Sequence, residues 1–129
     1  MELNYMKSII ISVIAAAGLM ASGSIFATDM PPLAKKSGCT ACHKIDKKIV
    51  GPSWMDVSKK YKGVKEYAYS PKGSDHADAK KMSLEDGLAM KIAKGGTGNW
   101  GKVPMTPNSP KVSDAEIKEL VQFILGLAK

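Results

Sequence analysis

Two thiols three positions apart with an imidazole directly behind them, Cys39-Thr40-Ala41-Cys42-His43, constrain this chain more than any other feature. The sequence holds no further cysteine, so the pair must act without a partner thiol elsewhere. A disulfide across two intervening residues would close a tiny loop and restrict little of the unfolded chain. A thioredoxin-like redox pair expects alternating strands and helices, which the sequence does not suggest. A zinc site would want a fourth ligand, and the only other histidine, His76, lies in a polar loop with no second cysteine pair near it. Against these stands C-x-x-C-H as the attachment motif for a c-type haem. Both thiols of one turn can add to the two vinyl groups of a porphyrin, and the next residue projects its imidazole toward the iron.

Residues 1–27 read as an export label. Ile9 to Ala17 is an apolar run behind Lys7, and Ser24-Ile25-Phe26-Ala27 offers a cleavage site before Thr28. Glu2 is out of place in a positive leader, and a start at Met6 would set Met-Lys directly before the run. An uncleaved membrane anchor is the rival, since Ile9 to Ala27 approaches spanning length, although Ser12, Gly18, Ser22, Gly23 and Ser24 dilute it. The expectation is a cleaved signal peptide over 1–27 and a single periplasmic domain over 28–129. A domain of about a hundred residues buries a limited apolar core and gains much from a large apolar group placed inside it. The net charge is +7, all of it carried by lysine. That charge serves solubility or steers the chain toward an acidic partner. Nucleic acid fits poorly, because there is no arginine for bidentate contacts and the lysines are spread along the chain.

The apolar pattern is helical and loop-rich. Ser113 to Glu116 has capping-box spacing, and Ile117, Leu120, Val121, Ile124 and Leu127 recur at three and four residues, predicting a helix to the C-terminus. A second helix runs from Leu84 to Lys94, with Ser83 as N-cap and Gly95-Gly96 as terminator. A short one follows Pro31-Pro32 and reaches Gly38. No alternating strand is expected. Three helices make a sparse core, which again argues for a buried prosthetic group.

His43 leaves the sixth position of an iron open. A methionine there would favour electron transfer, because a soft thioether stabilises the reduced metal. Met90 lies on a helix away from the Leu88 face, and Met55 and Met82 have no special context. Met105 sits between Pro104 and Pro107 in Trp100-Gly-Lys-Val-Pro-Met-Thr-Pro-Asn108, a stiff loop that can hold a flexible side chain in one place. Met105 is the expected ligand, and His76 is expected to be a solvated loop residue.

With these residues assembled, the chain resembles the small bacterial class I cytochromes c, the group of cytochromes c-551 and c-552. The shared pattern is Gly38-Cys39-x-x-Cys42-His43, then Val50-Gly51-Pro52, Gly95-Gly96 leading to Trp100, Pro104-Met105 with Asn108, and a final apolar helix, over nearly all of 30 to 129. The resemblance implies an all-α fold, about three to five short helices with long loops around one covalently attached haem c. It also implies that Pro52 gives its carbonyl to the ligand histidine, that Trp100 donates to a haem propionate and that Asn108 contacts the region of the ligand sulfur. Two features depart from the pattern: the stretch from Tyr67 to Met82 is longer, and Thr106 stands where proline is common.

The function expected is periplasmic one-electron transfer, not enzymatic catalysis. The expected partners are redox proteins with acidic docking surfaces, reductases or terminal oxidases, meeting a monomer at a lysine rim drawn from Lys35, Lys36, Lys47, Lys48, Lys59 and Lys60. The alternatives are a haem enzyme or diatomic-ligand binder with a labile sixth position, and a thiol oxidoreductase using Cys39 and Cys42.

Overall fold

Serine caps start three of the four helices, and their apolar faces meet in one core. The computed structural model describes residues 28–129, so the leader expected over 1–27 lies outside the described residues. α1 (Pro32–Lys36) begins with proline at its first position, where the missing N–H costs nothing. A single 3-10 turn over Cys39–Ala41 follows Gly38, whose φ of 79° lets the chain reverse. α2 (Trp54–Lys60) starts at Ser53, whose hydroxyl accepts from the Asp56 N–H. Two short strands, β1 (Glu66–Tyr69) and β2 (Lys80–Ser83), pair antiparallel with Tyr67 opposite Met82 and Tyr69 opposite Lys80. α3 (Leu84–Lys94) is capped by Ser83 and stopped by Gly95 at φ 72°. α4 (Asp114–Gly126) opens with a reciprocal capping box between Ser113 and Glu116.

α4 is the central beam. Its buried face, Ile117, Leu120, Val121 and Ile124, packs against α1, α2 and α3. Trp54 of α2 meets Phe123 edge-on with ring centroids 5.9 Å apart. The buried Ser58 hydroxyl donates to Leu125 O and accepts from the Ala128 N–H, tying α2 to the end of α4. Lys36 of α1 reaches Glu116 at 2.9 Å. Among the described residues no helix is long and apolar enough to cross a membrane.

The expected helices are present, with the first ending at Lys36 and the last at Gly126. α2 and the hairpin were not expected. α2 has only one turn of apolar spacing, Trp54 to Val57, and is set by its cap and by packing on α4. β2 reads Lys-Lys-Met-Ser and carries no apolar alternation. The hairpin is held from outside: Gly87 of α3 has no side chain, and the Tyr67 ring packs so closely there that an added Cβ would stand 2.5 Å from the tyrosine Cβ.

Candidate functional site

The turn after α1 carries the two thiols and the imidazole. His43 N–H and Cys42 N–H both donate to Cys39 O, closing that turn. Gly51 N–H then donates to Cys42 O at 2.7 Å, which brings the Gly51-Pro52 segment under the ring. His43 Nδ1 donates to Pro52 O at 2.8 Å. A carbonyl oxygen has no proton to give, so Nδ1 is the donor in this contact, and in the neutral imidazole the free lone pair is then on Nε2. Gly51 lies so near that a Cβ there would stand 2.6 Å from His43 Cε1. The imidazole is therefore held on its edge by one carbonyl and on one side by bare backbone.

Met105 comes from a different part of the chain. Its N–H and C=O each bond to Gly96 at 3.0 Å, an isolated antiparallel bridge just beyond α3. Gly95 and Gly96 make that approach possible. Both have positive φ, and a Cβ at Gly95 would run into Met105 O. Downstream, Asn108 fastens the loop to the end of α3: its backbone N–H reaches Ile92 O and Ala93 O, and its amide donates to Ile92 O at 3.0 Å and Thr106 O at 3.3 Å. Both amide hydrogens are thus engaged within the chain.

A cavity of about 310 Å³ joins these segments. All seven residues singled out in the sequence, Cys39, Cys42, His43, Pro52, Trp100, Met105 and Asn108, line it. Much of the remaining wall is apolar and comes from α2, α3 and α4, among them Val57, Leu88, Ile92, Val121 and Ile124. Met55, Met82, Met90 and His76 do not line it; His76 is exposed and pairs with Asp78. The Trp100 ring stands 38% exposed under Lys60 Nζ, which lies 4.4 Å from its centroid and donates to Asn99 O. Of the six lysines expected at the rim, Lys48 lines the cavity and Lys60 covers Trp100, whereas Lys36 is committed to Glu116 and Lys35, Lys47 and Lys59 are exposed elsewhere.

Trp54, Tyr61, Tyr67 and Lys91 are among the wall residues that the sequence did not single out. Lys91 sits three residues beyond Leu88 on the same helical face, a spacing that makes it a neighbour of the apolar stripe without marking it as a wall residue. Its half-buried ammonium donates to Gly96 O at 2.8 Å, and burial lowers its pKa. Burial also raises the tyrosine pKa values, chiefly through desolvation, with the neighbouring Tyr61 adding to the rise at Tyr67.

The donor set suits an iron porphyrin. Two unbridged thiols, an imidazole with a free Nε2 lone pair and a thioether converge on one apolar space. The Cys39 thiol is pushed up by burial, the reverse of the lowered pKa that activates a redox thiol. Among the described residues no group of three His, Cys, Asp or Glu side chains is arranged to hold a metal ion, so a protein-only zinc site finds no support.

Comparison with known proteins agrees with this chemistry. The cytochrome c family model matches residues 31–128. The chain is 46% identical over 95 residues to cytochrome c-551 of Allochromatium vinosum, covering 74% of this chain and 82% of that protein. It is 40% identical over 121 residues to cytochrome c-552 of Hydrogenobacter thermophilus, covering 94% and 97%. In three dimensions it resembles the crystal structure of Nitrosomonas europaea cytochrome c552 with a TM-score of 0.54 and 40% identity, over 74% of this chain and 95% of the other.

Proposed function

We propose that this chain, which belongs to the bacterial class I cytochrome c family and accordingly holds one covalently bound haem c, is a one-electron carrier of the periplasm. In this reading Cys39 and Cys42 would form the two thioethers that hold the haem, and His43 Nε2 and the Met105 sulfur would ligate its iron. The bound group supplies a ferric/ferrous couple whose potential a methionine ligand raises. The observation that carries the proposal is the meeting of both thiols, the Nδ1-committed His43 and the backbone-clamped Met105 on one cavity.

The chain's own work is to hold, cover and present. Pro52 O orients the imidazole and adds to its basicity. The Gly96 bridge and Asn108 hold Met105 in one place, so that oxidation and reduction demand little rearrangement. The apolar faces of α3 and α4 exclude water, and Trp100 supplies an indole donor for a propionate at the mouth. Lys48, Lys60 and Lys102 lie on or over that mouth, a positive margin for acidic reductases or oxidases docking on a monomer.

The ferric spectrum tests this. Wild type is expected to be low-spin with an iron–sulfur charge-transfer band, and Met105→Ala to lose the band and to fall in potential by a sizeable part of the about 0.8 V that axial ligands span. A high-spin wild type that binds carbon monoxide readily would instead favour the ligand-binding or enzymatic alternative.

A further inference from the structure

The β1–β2 hairpin is fastened to the very segment that backs Met105. At its base, Tyr67 packs against Gly87 of α3 and stands 5.5 Å, centroid to centroid, from the Tyr61 ring. One turn of side chains further out, the Tyr69 hydroxyl donates to Gly95 O at 3.0 Å. Beyond the strands, Thr97 N–H donates to Pro71 O at 2.8 Å, and the Asn99 amide meets the Ser74 hydroxyl. The two backbones touch without side chains between them: a Cβ on Gly96 would overlap the Pro71 carbonyl, and one on Gly98 would stand 2.6 Å from Lys72 O. The turn that presents these carbonyls is itself stiff, because the buried Ser70 hydroxyl donates to Asp78 at 2.7 Å and accepts from the Lys72 N–H. The segment 95–98 is consequently gripped on one side by the hairpin and on the other by Met105.

We propose that the β1–β2 hairpin is a positioning strap for the sixth ligand: Tyr69 and the Pro71 carbonyl hold Gly95–Thr97, and Gly96 in turn holds Met105 against the cavity. The strap rests on the reading of Met105 as an axial ligand. Its physical effect is on a population. Met105 leaves the site only when its loop opens, and each bond that ties Gly95–Thr97 down makes the opened form rarer. An outside ligand competing for the same position binds with its intrinsic affinity multiplied by the opened fraction.

Two variants of the haem-loaded protein test this. Tyr69→Phe removes one hydrogen bond and leaves the ring. Replacing residues 70–79 by Asn-Gly keeps Tyr69 opposite Lys80, closes the strands with a two-residue turn and removes the grip of Pro71. Imidazole affinity of the ferric protein is expected to rise about threefold in the first and on the order of tenfold in the second, the scale of one and of a few net hydrogen bonds. Amide exchange at Gly96 and Met105 should quicken by the same factors, while Leu120 and Val121 in α4 stay protected. If both readouts stay at wild-type values in either folded variant, the strap is refuted; should the turn replacement fail to fold, Tyr69→Phe alone decides. A wild type lacking the iron–sulfur band would overturn the ligand assignment instead, and exchange at Gly96 and Met105 would still judge the strap by itself.

Discussion

The His43 side and the Met105 side of the cavity are built on different length scales. Everything that holds the imidazole lies between Gly38 and Trp54: the turn over Cys39–Ala41, the Gly51 backbone and the Pro52 carbonyl nine positions away. Met105 is held by Gly96, which is held by the hairpin, and by Asn108, which is held by the end of α3. The Tyr69 to Gly95 bond spans 26 positions and the Asn108 to Ile92 bond 16. Local support survives rearrangement of distant parts of the fold. Support relayed through three segments is lost when any one of them shifts, so the methionine side is the one expected to open first.

Single substitutions can sharpen or break that contrast. The largest effect on stability is expected at Gly95, where φ is 72° and a Cβ meets the Met105 carbonyl. Gly95→Ala should cost about 3 kcal/mol, on the order of 12 to 24 °C in melting temperature, read by thermal unfolding. Gly51→Ala carries no left-handed backbone penalty, and its Cβ strikes chiefly the His43 ring. A cost of about 1 to 2 kcal/mol is expected, the scale of mild overpacking, with the disturbance confined to His43 ring resonances. Equal global losses in the two variants would erase the distinction. Asn108→Ala removes the amide that bridges Ile92 O and Thr106 O and should cost about 1 kcal/mol by denaturant titration, with faster exchange near Met105 and none near His43.

The smallest effect is a control outside the cavity wall. Glu116 is pulled down to about 2 by hydrogen bonds from the Ser113 backbone, then by Lys36 and the Ser113 hydroxyl. Its folded pKa lies below the unfolded value, so its contribution is complete above the ordinary carboxylate range and is lost as pH falls from about 4.5 to about 2. Glu116→Gln should flatten that acid limb slightly, because the group is exposed and screened. A changed axial-ligand spectrum in Glu116→Gln would show that α4's cap is coupled to the site after all.

Legibility followed the same length scales. Helices α3 and α4 announced themselves through serine caps, apolar spacing and, for α3, the glycine pair, all of them short-range signals. The thiols and His43 stood out because cysteine and histidine are rare in the chain and stand together here, and Met105, one of eight methionines, because Pro104 and Pro107 restrict the backbone around it. α2 was too short to show a period, and β2 shows none at all. Lys91 was visible as a helical residue but not as a wall residue, since its burial comes from a cavity assembled by other elements.

From the sequence alone, then, follow the family resemblance, the covalent haem, the identity of its candidate ligands and two long helices, because each depends on residue chemistry and on contacts within a few positions. Only the tertiary structure decided that Tyr61, Tyr67 and Lys91 complete the wall, that Asn108 spends its amide on α3, and that a lysine-rich hairpin grips the methionine loop. The last two of these rest on backbone carbonyls met across 16 and 26 positions. A carbonyl is the same in every residue, so its partner becomes identifiable only once the chain has folded.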